Sequence, residues 1–292
     1  IIAVLKAEAF GEPYDQVAFT RHLRTAVTDV VRRQAEVGID IPSDGEFGKV
    51  GWNNYVLERF SGLELRELPP GATPLGRGKD RRVFADFYAV WNQVERTIWL
   101  PPEVAQAVPA TGALTARWVC TGPIGYKGHA AIQRDIVNFK AALGEAGVEE
   151  GFLPVVAPGS VEASHPNEYY PSDEAYLYAI ADALREEYRA IVDAGLLLQV
   201  DDAFLPYLYD WMVDRVSMAE YLTFCEARVE ALNHALRGIP EERIRYHICW
   251  GSWNGPHSTD VPLKEIVHLV LKVNAGAYSI EAANPRHAHE WK

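Results

Sequence analysis

The sequence predicts an α/β fold, specifically a (β/α)8 TIM barrel, on three observations. Short β-branched or apolar runs alternate with long amphipathic segments through most of the 292 residues, the mark of repeated strand-then-helix units around a parallel sheet. Glu46, Thr121, Asp201, His247, Cys249 and Glu281 all fall at or just past the C-terminal ends of different strand-like runs. A site fed by many strands is the barrel arrangement, whereas an open doubly wound sheet gathers its site at one switch point. No Gly-x-Gly-x-x-Gly follows an early strand and no Walker-type loop is present in the sequence, so dinucleotide-binding and nucleotide-hydrolase readings lose their main support.

The elements follow in order. From Asp15 onward Phe19, Leu23, Val27 and Val30 recur at helical spacing, and Gly38 stands where a left-handed C-terminal cap belongs. Residues 39–42 read as a short strand ending in Ser43-Asp44-Gly45-Glu46. Between Leu63 and Pro102 the pattern weakens, and residues 84–91 and 96–100 are expected to form a hairpin-like insertion. A strand at 117–120 leads through Thr121-Gly122-Pro123 into a helix around Ile132, Ile136 and Phe139. The strand at 152–156 leads into Pro158-Gly159, after which Ser172 caps a helix bearing Leu177, Ile180, Leu184, Tyr188 and Ile191 on one face, with Gly195 as its stop. Residues 196–200 form a continuous apolar run of the kind buried on both faces of a parallel sheet, ending in Asp201-Asp202. Ser217-Met218-Ala219-Glu220 is a capping-box pattern opening a helix to Leu236. Residues 244–249 are the next strand, and a helix from Pro262 leads to the last one at 277–281.

No composition shift marks a linker, so residues 1–292 are read as one barrel domain. The chain opens at Ile1 without a methionine and closes soon after a strand-like run, and the first and last barrel units are expected to lie outside it. With 48% hydrophobic and 11% aromatic residues the composition is too apolar for a disordered chain. A net charge of −12 without a basic cluster argues against nucleic acid and membrane surfaces as partners. Cys120, Cys225 and Cys249 are odd in number and far apart, which fits a reducing compartment, and the expected location is cytoplasmic. Cys225 falls in helical register with Val229, Leu232 and Leu236 and reads as core; Cys120 reads as an inert buried thiol.

The sharpest constellation is His247-Ile248-Cys249 with Glu281. Residues two apart on a strand point to the same face, so His247 and Cys249 aim together from one strand end. Glu281 ends the following strand, one helix plus loops later. Imidazole nitrogen, thiolate and carboxylate oxygen make a borderline-soft donor set that suits zinc. The competing reading packs Cys249 as a small hydrophobe beside a core histidine. Asp201 is a candidate catalytic and substrate-binding residue, with a turn-capping carboxylate as its bland alternative; Glu46 is a candidate substrate-binding residue that a loop ion pair would also explain. His257, in the loop after the His247 strand, is a candidate acid or base. Tyr169, in the loop 165–170, is placed to line the barrel mouth. Lys79-Asp80-Arg81-Arg82 offers charge to an anionic substrate tail, although short charge runs are usually plain surface.

Taken together, His247-x-Cys249, Ser279-Ile280-Glu281, Gln199-Val200-Asp201 and Asp44-Gly45-Glu46 resemble the catalytic barrel of cobalamin-independent methionine synthase over nearly the whole chain. The resemblance implies that His247, Cys249 and Glu281 bind zinc, and that Glu46 and Asp201 contact the amino-acid part of homocysteine. It also implies a further zinc-ligand Cys and a proton-donating His beyond Lys292, and a substrate-holding Gly-Ser turn before Ile1. Gly122-Pro123 resembles the family's Gly-Pro strand end but lacks the Trp of the folate-binding enzymes. Cys249-Trp250-Gly251 and Asn254-Gly255-Pro256-His257 look more like the single-barrel branch that includes epoxyalkane:coenzyme M transferase.

The expected activity is zinc-dependent transfer of an alkyl group to a substrate thiol, as in a methionine-synthase-like methyltransferase acting on homocysteine or a similar thiol. The expected partners are that small thiol and an alkyl donor, and a homo-oligomer is left open. One alternative is a thiol-to-epoxide transferase or lyase acting on coenzyme M. Another, from a different class, is a metal-free barrel that binds a small ligand. A decarboxylase on the related uroporphyrinogen decarboxylase barrel gives Cys249 no role.

Overall fold

The computed structural model describes residues 4, 13–67, 78–91, 116–251 and 255–290. In chain order the principal elements are α1 (Gln16–Glu36), β1 (Leu63–Glu67), β2 (Ala116–Cys120), α2 (His129–Ala146), β3 (Phe152–Val156), α3 (Pro158–Ser164), α4 (Asp173–Asp193), β4 (Leu197–Asp201), α5 (Met218–Leu236), β5 (Ile244–Ile248), α6 (Leu263–Val270) and β6 (Ala277–Ile280). The helix ends follow from local chemistry. Asp15 caps α1 through the amide of Ala18, Ser172 caps α4 through Ala175, and Ser217 and Glu220 form a reciprocal capping box on α5. On α1 the buried face is Phe19, Leu23, Val27 and Val31, so the fourth core position is Val31 and not Val30.

Strands β3, β4, β5 and β6 form one parallel sheet in that order. Each new strand is added on the same side of its predecessor. With right-handed crossovers this places every connecting helix on one face of the sheet. The helices pack side by side in sequence accordingly: α1 against α2, α2 against α4, α4 against α5, and α5 against α6. A doubly wound sheet would reverse direction and split its helices between two faces. Even-numbered residues Leu198, Val200, Ile244, Tyr246 and Ile248 are buried beneath the helices, while Gln199, Asp201, Arg245 and His247 occupy the other, partly open face. No helix among the described residues is long and apolar enough to cross a membrane.

The described strands make an open four-stranded sheet and a two-stranded one. Three expectations are corrected here. Residues 39–42 form no strand: Ser43 makes a single parallel bridge to Phe152, next to Pro42, which has no N–H to donate and whose carbonyl accepts from Phe152. The run at 117–120 does become β2, but its ladder is antiparallel to β1, with Leu63 opposite Cys120. Residues 85–91 are helical, because Phe84, Phe87 and Trp91 also satisfy helical spacing, and Phe87 stacks on Trp91 at 5.6 Å. The companion run at 96–100 lies outside the described residues.

One buried charge cluster fixes the first half of the chain to the second. The Arg59 guanidinium, 1% exposed, reaches Glu187 on α4 and Asp135 on α2, each at 2.5 Å. Tyr126 donates its hydroxyl to the second oxygen of Glu187 at 2.9 Å. Two carboxylates around one cation leave this site dependent on every member.

Candidate functional site

The register of the parallel sheet aligns Asp201 on β4 with His247 on β5, and His247 with Ser279 on β6. Cys249 and Glu281 lie just past the ends of β5 and β6, and the amide of Glu281 donates to the carbonyl of Ile248 at 3.1 Å, which holds the two strand ends together. The expected ligands are therefore neighbours on adjoining strand ends.

His247 has a defined orientation. Its Nδ1 is 3.0 Å from the Ser279 carbonyl oxygen and 3.2 Å from Ser279 Oγ. A carbonyl only accepts, so Nδ1 carries the proton and Nε2 keeps its lone pair. Burial lowers the imidazole pKa against the opposing pull of Ser279 and Glu281, which favours the neutral ring. Cys249 is 9% exposed. Burial pushes its thiol up to about 11, with the nearby carboxylates of Glu281, Asp201 and Asp202 adding to the rise and a Gly251 backbone contact opposing it. Glu281 accepts from Asn284 Nδ2 on Oε1 at 3.1 Å, while its Oε2 is buried with no hydrogen-bond partner.

These residues suit a metal in chemistry: a neutral imidazole with a free lone pair, a thiol shielded from water, and a carboxylate whose buried Oε2 has no hydrogen-bond partner, while Arg286 lies 3.9 Å from its Oε1. As they stand, no group of three His, Cys, Asp or Glu among the described residues forms a ready metal cage.

A second cluster stands at the same edge. Asp201 accepts from Gln199 Nε2 at 2.7 Å, and Gln199 Oε1 accepts from Arg245 Nε at 2.6 Å. Burial, and next the charge of Glu46, push the Asp201 carboxyl up to about 7; Gln199, Lys49 and Arg245 work against the rise. Glu46 is thus close enough to Asp201 for its charge to act there. It has φ +55, the one described non-glycine residue in the left-handed region, directly after Gly45 at φ +70. Asp44 stabilises that turn by accepting from the Glu46 amide at 3.0 Å. Lys49, 6% exposed at its side chain, lies 3.4 Å from Glu46 Oε1, donates to the Pro154 carbonyl and sits over the Tyr55 ring. Burial raises Asp44 to about 6 against the pull of Lys49. Lys49 is a site residue that the sequence reading missed, although its three-residue spacing from Glu46 was visible.

The other two candidates have different company. Nδ1 of His257 is 3.0 Å from both carboxylate oxygens of Asp260. Tyr169 is 52% exposed, its ring edge-on to Tyr170 at 5.1 Å and its amide bonded to Asn167 on the same loop.

No family model matches the chain. It is 23% identical to a methionine synthase of Sulfolobus acidocaldarius over 250 residues, 85% of this chain and 57% of the relative. It is 22% identical to a methionine synthase of Pyrococcus furiosus over 240 residues, 81% of this chain and 54% of the relative. A shorter match, 30% identical over 89 residues, covers 30% of this chain and 19% of a 2-hydroxypropyl-CoM lyase of Xanthobacter autotrophicus. The chain thus spans about half the length of the methionine synthases it matches. Among solved structures, a B12-independent methionine synthase from a Shewanella species in complex with selenomethionine superposes with a TM-score of 0.54 at 15% identity, covering 88% of this chain and 62% of that one, and shows the fold alone. In sequence this chain is thus similar to methionine synthases and, over a shorter stretch, to a 2-hydroxypropyl-CoM lyase, and in fold it is similar to a B12-independent methionine synthase.

Proposed function

We propose that this chain carries a zinc-dependent active site that transfers an alkyl group to a substrate thiol, in the manner of a methionine-synthase-like methyltransferase. One observation carries the reading: the buried Glu281 Oε2 has no hydrogen-bond partner beside a thiol and an imidazole whose electrostatics both respond to it. His247 through Nε2, Cys249 and Glu281 would hold the ion. Zinc, when bound, supplies the positive charge that makes a thiol nucleophilic at neutral pH.

The chain's own residues do the rest. Ser279 fixes the tautomer of His247. Glu46 and Asp201 form an acidic pair, partly offset by Lys49, that suits a substrate ammonium and holds it beside the thiol end. Asp260 orients the His257 ring, which would move a proton at the substrate or leaving group. Tyr169 would contact the substrate from the rim. The single direction of strand addition is that of an arc of a barrel, and we propose the closed (β/α)8 barrel as the architecture of the catalytic unit.

A second reading, cleavage or formation of a thioether on coenzyme M, is favoured by the 30% identity to 2-hydroxypropyl-CoM lyase. The test is metal analysis of protein purified without chelators, followed by incubation of homocysteine and coenzyme M with methyl donors and with epoxides under mass spectrometry. Close to one zinc per chain, lost in His247→Ala and Cys249→Ser, with methylation of homocysteine, supports the methyltransferase. Turnover confined to coenzyme M selects the second reading. Zinc content that is negligible and indifferent to both substitutions overturns both and favours a metal-free ligand-binding barrel.

A further inference from the structure

Resting on the zinc reading above, we propose that His287 is a positioning residue for the candidate ligands. It acts on Glu281 through Asn284 and on the Cys249 strand end through Trp250.

His287 is 3% exposed and belongs to the stretch that follows β6. Its ring lies flat on Trp250, with centroids 3.9 Å apart and planes inclined by 16°. Trp250 is the residue after Cys249, fully buried, and its indole N–H donates to the Val261 carbonyl at 2.8 Å. Both edges of the imidazole are tied as well. Nδ1 is 2.7 Å from Glu290 Oε1, and Nε2 is 2.9 Å from Asp260 Oδ2. Glu290 in turn accepts from the amide of Leu263 at the start of α6, and Asp260 also holds His257. One ring therefore joins the loop after β5 to the loop after β6 through a face and two edges.

The link to Glu281 runs through Asn284. Asn284 Oδ1 accepts from the amides of Arg286 and His287, both at 3.0 Å. With its oxygen committed, the amide nitrogen points the other way and donates to Glu281, at 3.1 Å to Oε1 and 3.2 Å to the backbone carbonyl. This contact and the Arg286 guanidinium at 3.9 Å both fall on Oε1, which leaves Oε2 without a hydrogen-bond partner. Anchoring His287 fixes the backbone amide that orients Asn284, and so selects which oxygen of Glu281 is presented. The same anchor immobilises Trp250, and with it the turn that carries Cys249. Every residue in this chain of contacts belongs to the stretches following the two ligand-bearing strands, which is where partners that orient a metal's ligands are needed.

A packing role alone would lower stability without altering the ligand set, so the test reads the ligands directly. Zinc dissociation constants are measured on the full chain by competition with a chromophoric chelator. The cobalt-substituted protein gives the sulfur-to-metal charge-transfer band and the d–d bands, and thermal unfolding checks integrity. His287→Ala and Asn284→Ala are each expected to weaken zinc binding roughly 10–100-fold, keep the charge-transfer band and shift the d–d bands. Adding Glu281→Gln to Asn284→Ala should cost clearly less than the two single effects combined. Both variants binding zinc within about twofold of the parent, while Cys249→Ser loses it, overturns the positioning role and leaves the zinc reading standing. A parent chain that takes up no zinc overturns both. If His287→Ala fails to fold, Asn284→Ala, which removes only the amide contact, decides the matter alone.

Discussion

Asp201→Asn tests whether the strand-end carboxyl is held neutral by its surroundings. Burial and the neighbouring Glu46 place the Asp201 carboxyl at about 7, against about 3.9 for an unperturbed aspartate. In the native state the group keeps its proton up to about pH 7, and in the unfolded chain it loses it near pH 4. Between those values the native state binds the extra proton, so the associated stability is complete below about pH 4 and disappears as pH rises to about 7. Three units at 1.36 kcal/mol each correspond to about 4 kcal/mol at most; partial access of solvent to this face trims the figure. Asparagine has the same shape, can still accept the Gln199 hydrogen bond, and has no proton to lose. Asp44 and Asp202 are raised as well, but they are common to both proteins and drop out of the comparison. The assay is urea unfolding followed by tryptophan fluorescence. The stability of Asp201→Asn relative to the parent should improve by about 2–3 kcal/mol between about pH 5 and pH 8. An equal difference at both pH values would refute the argument.

The remaining predictions concern the charge cluster and the thiol. Arg59→Met strips the cation from two buried carboxylates and should destabilise the fold by about 3–5 kcal/mol in denaturant titrations; a loss under about 1 kcal/mol would mean that Asp135 and Glu187 find other partners. In chelator-treated protein near pH 7.5, the high pKa of Cys249 should slow its alkylation by iodoacetamide at least roughly a hundredfold relative to a free cysteine. A rate within about tenfold of the free thiol, read by peptide mass mapping, would show that Cys249 is neither shielded nor held protonated.

What was legible in the sequence was what local rules determine. The caps at Asp15, Ser172 and Ser217 and the apolar faces of α1, α4 and α5 depend on residues within a few positions of one another, and the structure has them nearly where the pattern puts them. The run at 196–200 reads as buried on both faces, yet Leu197 and Gln199 stay half-buried, on the face that also carries Asp201, Arg245 and His247. The structure departs from the local pattern where pairing is distant or a pattern has two solutions. Nothing local says that β2 will take β1 as an antiparallel partner across the intervening insertion. Phe84, Phe87 and Trp91 fit a helix as well as a short aromatic strand, an ambiguity that length alone cannot break. Nothing in its sequence neighbourhood marks His287, whose contacts with Trp250, Asp260 and Glu290 are drawn from both loops.

The two clusters at the strand ends share one electrostatic condition. Asp44, Asp201 and Cys249 are all shifted toward their protonated forms, with burial the largest cause in each case. Lys49 and Arg245 oppose the shift at Asp201 without cancelling it. Such a face has withdrawn acidic groups from water without providing matching positive charge, and a cation entering it recovers part of that desolvation cost. The proposed function gives such a cation two places: Glu281 together with Cys249 and His247, and the Glu46–Asp201 pair. A substrate carrying an ammonium and a thiol would meet complementary groups at both, whereas coenzyme M, whose sulfonate is anionic, would face the acidic pair unfavourably. On charge alone the amino-acid thiol is therefore the better fit. The more locally similar lyase sequence points the other way, and the substrate screen compares those two arguments directly.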